Sequence, residues 1–219
     1  DKTELSFNEE KIFKRKIDRN GDLITKMYFT FTLPEIQSSA EREFKWVKNI
    51  GTTIIRSVSF FIQGKKIDEH YGEWLHIWHE LNLSADHREG YNEMIGNIPE
   101  IYDPANANGN NNIYPASQIG VDFIPSIKSY RLAVPLIFWF NRHPGLALPL
   151  IALQYHEVKI NIDFRPIGEC LFALKADGTT ATQAYQQSLV AASLYVDYIF
   201  LDTDERRKMA QNPHEYLIE

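Results

Sequence analysis

The sequence is poor in cysteine, in basic charge and in long apolar runs. Its single cysteine, Cys170, cannot form a disulfide within the chain, so a reducing compartment is expected. With 23 Lys and Arg against 29 Asp and Glu, the formal net charge is −6, which argues against a protein that wraps nucleic acid. No apolar run approaches the roughly 20 residues that a membrane-spanning helix needs. The first residues, DKTELSFNEEK, are polar and unlike a secretory leader, so we expect a soluble protein made in the cytosol.

One segment departs from the acidic balance. Lys11 to Arg19 (KIFKRKIDR) is basic and could contact phosphate groups. We favour a solvated strand that is anchored by Ile12 and Ile17 turned inward. No direct binding of nucleic acid is therefore expected.

Motifs for catalysis or cofactor binding are also missing. No Gly-x-Ser-x-Gly elbow, reactive-cysteine context or phosphate-cradling glycine loop occurs in the sequence. Six possible metal ligands cluster in one short segment: Glu69, His70, Glu73, His76, His79 and Glu80. His76 and His79 are spaced to reach one ion on a helix, but an HExxH pattern is absent. We interpret these residues as the solvent-exposed side of an amphipathic helix.

Two shorter polar motifs also have structural interpretations. Tyr155-His156-Glu157 has no nucleophile nearby, and we interpret His156 as a hydrogen-bonded interior or interface residue. Asp202-Thr203-Asp204 lacks the glycine and distal glutamate of a calcium-binding loop. The segment instead predicts a helix cap at Asp202, with Glu205 completing a capping box. The sequence thus predicts a protein that is not an enzyme and has no catalytic, cofactor-binding or metal-binding residues.

The sequence is rich in apolar β-strand material. Hydrophobic residues make up 44% and aromatic residues 13% of the chain, which is ample for a core. Between Arg131 and Phe164, two apolar strands flank a predicted turn at residues 141–145. The first strand, which we extend to Phe140, is apolar on both faces, as is typical of a strand buried on both sides. The second alternates, and its inward residues are Val158, Ile160, Ile162 and Phe164.

Three further strands have a period of two, at residues 27–33, 52–62 and 192–201. Their predicted inward residues are Met27, Phe29, Phe31 and Leu33, then Ile54, Val58, Phe60 and Ile62, then Leu194, Val196, Tyr198 and Phe200. Residues 35–50, between the first two strands, are predicted to be a surface loop or a short helix.

Helices are predicted only near residues 70–82 and 203–210. The first has an apolar stripe of Trp74, Ile77, Trp78 and Leu81, which we expect to pack across an open end or edge of a sheet. Residues 97–130 and 165–188 are predicted to be long exposed loops, the second with its tip at Gly178-Thr179-Thr180.

Together these elements predict an all-β fold, an eight-stranded antiparallel jelly-roll sandwich with short helices in the connections. Residues 1–201 are predicted to form the jelly-roll domain, and residues 202–219 a capped helix and linker. The residues expected between two four-stranded sheets are Phe29, Phe31, Val58, Phe60, Ile160 and Ile162.

Four segments carry a resemblance to a known family. They are RNGDLITKMYFTFTLP (19–34), IQGKKIDEHYGEWLHIWHEL (62–81), PLIFWFNRHPGLALPLIALQYHEVKINI (135–162) and YVDYIFLDTDERRKMAQNPHEYLIE (195–219). In this order they resemble the major capsid proteins of nucleocytoplasmic large DNA viruses, over essentially the whole chain. The resemblance implies a double jelly-roll subunit, of which this chain is similar to the first jelly roll. Members of that family carry an N-terminal arm before the position of Asp1 and a second jelly roll after that of Glu219.

The function implied by the resemblance is structural. The chain would form part of the icosahedral capsid shell of a large DNA virus, located in the virion and assembled in the host cytoplasm. Three subunits would form a pseudo-hexagonal capsomer, so the expected partners are the other copies of a homotrimer, neighbouring capsomers and minor capsid proteins. An inner viral membrane could lie close by.

Two other functions fit a jelly roll. A carbohydrate-binding module shares the architecture, but three of the four tryptophans lie in apolar-periodic segments rather than on a polar concave face. A cupin-like enzyme would need a His/Glu metal set, and the sequence offers no convincing one.

The end of the chain leads to a further expectation. Met209, Tyr216, Leu217 and Ile218 follow the last predicted strand and have no evident place in its core. We expect them to pack outside the domain, against a second jelly roll or a neighbouring subunit, and to be exposed in this chain alone.

Overall fold

The computed structural model of the protein describes residues 3–5, 12–38, 42–118, 124–175 and 189–218. Its strands are β1 (Thr3–Leu5), β2 (Ile12–Lys16), β3 (Leu23–Leu33), β4 (Arg42–Trp46), β5 (Ile55–Ile62), β6 (Lys65–Tyr71), β7 (Tyr130–Pro135), β8 (Leu148–Pro149), β9 (Val158–Phe164), β10 (Leu171–Lys175) and β11 (Leu189–Ile199). Its α-helices are α1 (Ile50–Thr53), α2 (Gly72–Asn82), α3 (Ala85–Ile95), α4 (Pro99–Tyr102), α5 (Trp139–Arg142) and α6 (Thr203–Gln211). Among the described residues, no helix combines the length and the apolar character that crossing a bilayer would demand.

Antiparallel sheets dominate the architecture. One sheet has the order β1-β11-β3-β7, with β8 also paired to β3, and a second has the order β2-β9-β5-β6. A third, two-stranded sheet joins β4 to β10. Every strand pair within the described residues is antiparallel, as predicted. The predicted count of eight strands is not confirmed, because the described part of the chain has additional short strands.

The core lies between the two larger sheets. The ring of Phe29 on β3 lies 5.2 Å from Phe13 on β2 and 5.6 Å from Phe164 on β9, so aromatic side chains from both sheets meet there. The predicted central residues are all fully buried: Phe29, Phe31, Val58, Phe60, Ile160 and Ile162. Their prediction is confirmed, because alternation with a period of two places such side chains on one face of a strand.

The segment after β7 is a helix where a strand was predicted. β7 ends at Pro135, and the backbone N–H of Phe138 donates to Oδ1 of Asn141 (3.2 Å), while Nδ2 of Asn141 donates to the carbonyl of Thr25 (2.9 Å). These bonds hold residues 139–142 in the single helical turn α5. The predicted burial is nevertheless confirmed, because Phe138 and Phe140 both pack on the ring of Phe60, with ring centroids 5.4 and 5.2 Å apart.

The prediction of only two helices is wrong. α2 and α6 confirm the predicted pair, but α1, α3, α4 and α5 also form. In α3 the buried residues are Tyr91 and Ile95, a stripe too sparse to stand out in the sequence. Gly96 ends α3 with a φ of 72°, a left-handed conformation that glycine adopts without steric cost. Pro99 begins α4, where its missing N–H needs no partner.

Two segments predicted as surface loops instead contain a small sheet. β4 lies within residues 35–50 and β10 within residues 165–188, and Leu171 pairs with Trp46. Both side chains are buried, with Trp46 only 1% exposed. Because each strand is short and its partner is distant in the sequence, neither has a strong local signal. The predicted tip at 178–180 lies outside the described residues.

Two residues that were predicted to face the core, Ile12 and Phe200, do not do so. On β2, Phe13 and Ile17 are buried and Ile12 is only half-buried. Phe200 follows the end of β11 and is 69% exposed. Half-buried and exposed side chains alternate along β11 from Leu194 to Tyr198, but the strand ends at Ile199, so the alternation does not extend to Phe200.

Candidate interaction surfaces

His70 lies in the interior of the protein, which corrects its predicted place on the wet side of a helix. It belongs to β6, and its side chain is buried next to the ring of Phe138. Glu69, its neighbour, instead accepts hydrogen bonds from Ser59 (2.9 Å) and Lys66 (2.8 Å) near the surface. The salt bridge to Lys66 is the main cause that lowers the pKa of Glu69 below its ordinary value. The two residues therefore lie on opposite faces of the strand and cannot share an ion.

The remaining two histidines of this segment lie on α2, but they are not equivalent. The ring of His79 stacks on Tyr91 of α3 at 4.3 Å, and its Nδ1 lies 2.7 Å from the carbonyl oxygen of Leu75. Burial is the main cause that lowers the pKa of His79. His79 thus joins two helices instead of facing water beside His76. No group of three potential metal ligands comes together within the described ranges.

The loop that contains Tyr155 and His156 is braced by an arginine. The guanidinium of Arg19 donates to the carbonyl oxygens of Leu153, Gln154 and His156, which holds this turn in place. Tyr155 is consequently presented at the surface, 86% exposed. Nδ1 of His156 is buried and has no hydrogen-bond partner among the described residues, so the expectation of a hydrogen-bonded ring is wrong for that nitrogen.

The apolar stripe of α2 faces outward, contrary to prediction. We call the set Trp74, Ile77, Trp78 and Leu81 the α2 face; Trp78 is half-buried and the other three are exposed. Leu75 is the residue that α2 buries in the core. Gly72 explains this orientation, because a Cβ at that position would lie 2.3 Å from the carbonyl oxygens of Thr52 and Ile55. So close an approach fixes the start of α2 against α1 and β5, and it leaves Trp74, Ile77 and Leu81 exposed while Trp78 packs partly on the core.

The chain after β11 is tied to the sandwich by a buried carboxylate. Asp202 caps α6 as predicted, accepting from the N–H of Glu205 at 2.8 Å. Asp22 accepts hydrogen bonds from the N–H of Leu201 (2.8 Å) and from Nε of Arg206 (3.0 Å). Burial alone would raise the pKa of Asp22, but these two bonds together outweigh it and hold the pKa below its ordinary value. Asp22 therefore anchors the start of α6.

Removing this anchor is expected to loosen α6. We expect Asp22→Ala to lower the free energy of unfolding by about 1–3 kcal/mol, because a partly buried N–H and a guanidinium lose their acceptor. The ionised carboxylate is the bonded form, so its contribution is present above the unfolded pKa of about 3.9 and is lost as pH falls through the lower folded value. Urea unfolding at neutral and acidic pH measures both effects.

The matched control for Asp22 is Asp204 on α6, whose side chain is 84% exposed and 3.8 Å from Arg207. Asp204→Asn should change stability by less than about 0.5 kcal/mol. Equal losses for the two variants would contradict the anchoring assigned to Asp22.

A second exposed apolar region follows β11. We call Phe200, Leu217 and Ile218 the carboxyl-terminal surface; Leu217 is 81% exposed. Tyr216 departs from the prediction that this segment packs outside the domain, because its ring lies 6.3 Å from Trp139 and its hydroxyl donates to the carbonyl of Ala147 (3.3 Å). The exposure predicted for Leu217 and Ile218 is confirmed.

The tryptophans bear on the carbohydrate-binding alternative. Trp46 and Trp139 are buried, and Trp78 is half-buried beneath the guanidinium of Arg142, 4.3 Å from its ring centroid. Of the four, only Trp74 has a largely solvent-exposed ring, and all four lie in the described part of the chain. Its neighbours on the α2 face are apolar, which does not match the mixed aromatic and polar lining expected of a sugar site.

Comparisons with known proteins agree over nearly the whole chain. Residues 2–202 match a family described as "Major capsid protein N-terminus". The chain is 50% identical to a major capsid protein of Phaeocystis pouchetii virus, with 99% of this chain and 44% of that protein covered. It is 43% identical to a major capsid protein of Chrysochromulina ericina virus, with 99% and 45% covered. The chain thus spans slightly less than half the length of these relatives.

A solved structure extends the similarity to the fold. VP54 of PBCV-1, fitted into a reconstruction of the virophage Sputnik, has a TM-score of 0.66 and 32% sequence identity, covering 99% of this chain and 44% of that one.

Proposed function

The chain belongs to the major capsid protein family of large DNA viruses, and on that premise we propose that it forms the N-terminal half of a subunit of an icosahedral capsid shell. The observation that carries the proposal is the match over 99% of the chain at 50% identity to a major capsid protein. The role would be mechanical and would need no catalytic residue, since extended contact area between subunits holds a shell together.

The packing suits a mechanical role. Aromatic rings from both sheets meet in the core, where Phe29 of one sheet contacts Phe13 and Phe164 of the other. Interiors packed in this way are dense and resist compression. We propose that the two larger sheets form a jelly roll, elaborated by the small β4–β10 sheet and by the helices between strands.

We also propose a division of the chain at the end of the last strand. Residues 1–201 would form the jelly-roll domain, and residues 202–219 a capped helix and linker toward a second jelly roll. In support, α6 buries none of its residues and is held by Arg206 and the chain at Leu201, while Leu217 stays exposed beyond it.

The partners would be other capsid components. We propose a homotrimer that forms a pseudo-hexagonal capsomer and contacts neighbouring capsomers and minor capsid proteins, in a virion assembled in the host cytoplasm close to an inner viral membrane. The α2 face and the carboxyl-terminal surface supply exposed apolar side chains for such contacts.

A chimera would test this function directly. The starting protein would be the major capsid protein of Phaeocystis pouchetii virus. The 44% of its length that matches the present sequence would be replaced by residues 1–219 of the present protein. We expect the chimera to form a trimer, because the transplanted half would supply its share of the subunit contacts. Native mass spectrometry would measure the assembly, and electron microscopy its pseudo-hexagonal outline.

The unaltered Phaeocystis pouchetii virus protein is the positive control for the chimera. A variant chimera carrying Phe29→Ala, which weakens the core, would show that assembly depends on the folded domain. A well-folded chimera that remains monomeric while the unaltered protein trimerises would contradict the proposed function.

A further inference from the structure

His70 is a buried ionisable group that the shell function does not use. It is 3% exposed and lies on β6, which continues directly into α2. Neither ring nitrogen makes a hydrogen bond to any residue that the structure describes. Buried polar atoms without a partner are uncommon in folded proteins and call for an explanation.

The surroundings of His70 suit a neutral ring. The imidazole stacks on Phe138, with ring centroids 5.0 Å apart and an interplanar angle of 24°. On its own strand, Oδ2 of Asp68 lies 3.4 Å from Nε2. From α5, the positively charged guanidinium of Arg142 acts on the ring and disfavours its protonation. β5 contributes its pairing partner Val58, which carries no charge.

These contacts join three elements at one point. Arg142 on α5 lies over the ring of Trp78 on α2, and its Nε donates to the carbonyl of Ile137 at 3.0 Å. The stack between His70 and Phe138 adds β6 to the same junction. Besides the approach of Gly72 to α1 and β5, the start of α2 is therefore connected to the segment 136–142 through His70 and Arg142.

We propose that His70 is an acid-sensitive latch, whose neutral ring holds β6 and α2 against residues 136–142 and whose protonation releases them. An imidazolium carries two N–H donors that need acceptors. One carboxylate lies near Nε2, no acceptor from the described part of the chain reaches Nδ1, and Arg142 opposes the new charge. This property goes beyond shell formation and does not depend on it.

The direction of the pH effect follows from the same groups. Burial lowers the pKa of His70, Asp68 raises it and Arg142 lowers it, and the net pKa lies below the ordinary value of 6.5. As pH falls below about 6.5, the unfolded or locally opened chain therefore takes up the proton before the closed form does, and the closed form loses stability.

Hydrogen exchange of the 219-residue chain would test the latch. Exchange would be compared at about pH 7.5 and about pH 5.5, on either side of the ordinary histidine pKa, after correction for intrinsic rates. We expect protection to fall on acidification in residues 65–82 and 136–142, and to fall less in β9. His70→Phe preserves an aromatic stack on Phe138 but cannot take up a proton, so it should abolish the local loss.

The control is His87→Gln, which removes an exposed histidine of α3 and should leave the response unchanged. An equal local loss of protection in His70→Phe and the wild type would overturn the proposal. If His70→Phe does not fold, NMR titration of the wild-type protein would measure the pKa of the His70 imidazole and test the proposal instead. A His70 pKa below 6.5 supports the latch, and a value at or above 6.5 overturns it.

Discussion

Phe29→Ala is expected to lower the free energy of unfolding by about 3–5 kcal/mol, the usual cost of removing a buried phenylalanine ring. Phe29 is 0% exposed, and its ring contacts Phe13 and Phe164 from the opposite sheet as well as Phe31 on its own strand. The substitution would leave a cavity that neither sheet can close, because both are held by paired strands. Urea unfolding followed by circular dichroism measures the loss.

Phe172 provides a matched control for this core substitution. It is also a strand phenylalanine, on β10, but it is 41% exposed. Phe172→Ala should therefore cost clearly less than Phe29→Ala, since a smaller apolar area returns to water. Similar losses for the two variants would show that the interface between the sheets is not the main core.

The second large effect concerns association. We expect the 219-residue chain to self-associate as its concentration rises, because Phe200, Leu217 and Ile218 expose apolar area after the last strand. The double variant Phe200→Ser, Leu217→Ser should remain monomeric over the same range. Sedimentation velocity at increasing concentration would measure the mass of both proteins.

Ile113→Ser is the control for association, because Ile113 is 70% exposed but lies beside the asparagine-rich segment, away from the carboxyl-terminal surface in sequence. It should leave association unchanged. A wild-type chain that stays monomeric at high concentration would contradict the assignment of this surface to intersubunit or interdomain contacts. Association that persists unchanged in the double variant would place the contact elsewhere, for example on the α2 face.

The strands with clear alternation were predictable from sequence. Phe29 and Phe31 on β3, and Ile160 and Ile162 on β9, lie inward because a period of two puts every second side chain on one face. The cap at Asp202 was predictable for a similar reason, since an N-cap acts on backbone N–H groups only a few residues away. Local geometry decides both features.

The direction in which a helix faces was not predictable. The spacing of Trp74, Ile77, Trp78 and Leu81 correctly indicated a helix, but not that this stripe would face outward. That outcome depends on the close approach of Gly72 to the carbonyls of Thr52 and Ile55, which are distant in sequence. A periodicity describes one element, whereas burial depends on what packs against it.

Some features of the candidate surfaces were likewise determined by the sequence, and others only by the tertiary structure. The sequence by itself determined the family, the apolar alternation of the central strands and the excess of apolar residues near the end of the chain. Tertiary structure alone decided that His70 is buried against Phe138, that Asp22 anchors α6, and that Tyr216 packs back onto Trp139. Each of these contacts joins residues far apart in the chain, so their partners are set by the folded arrangement of the sheets and not by local sequence.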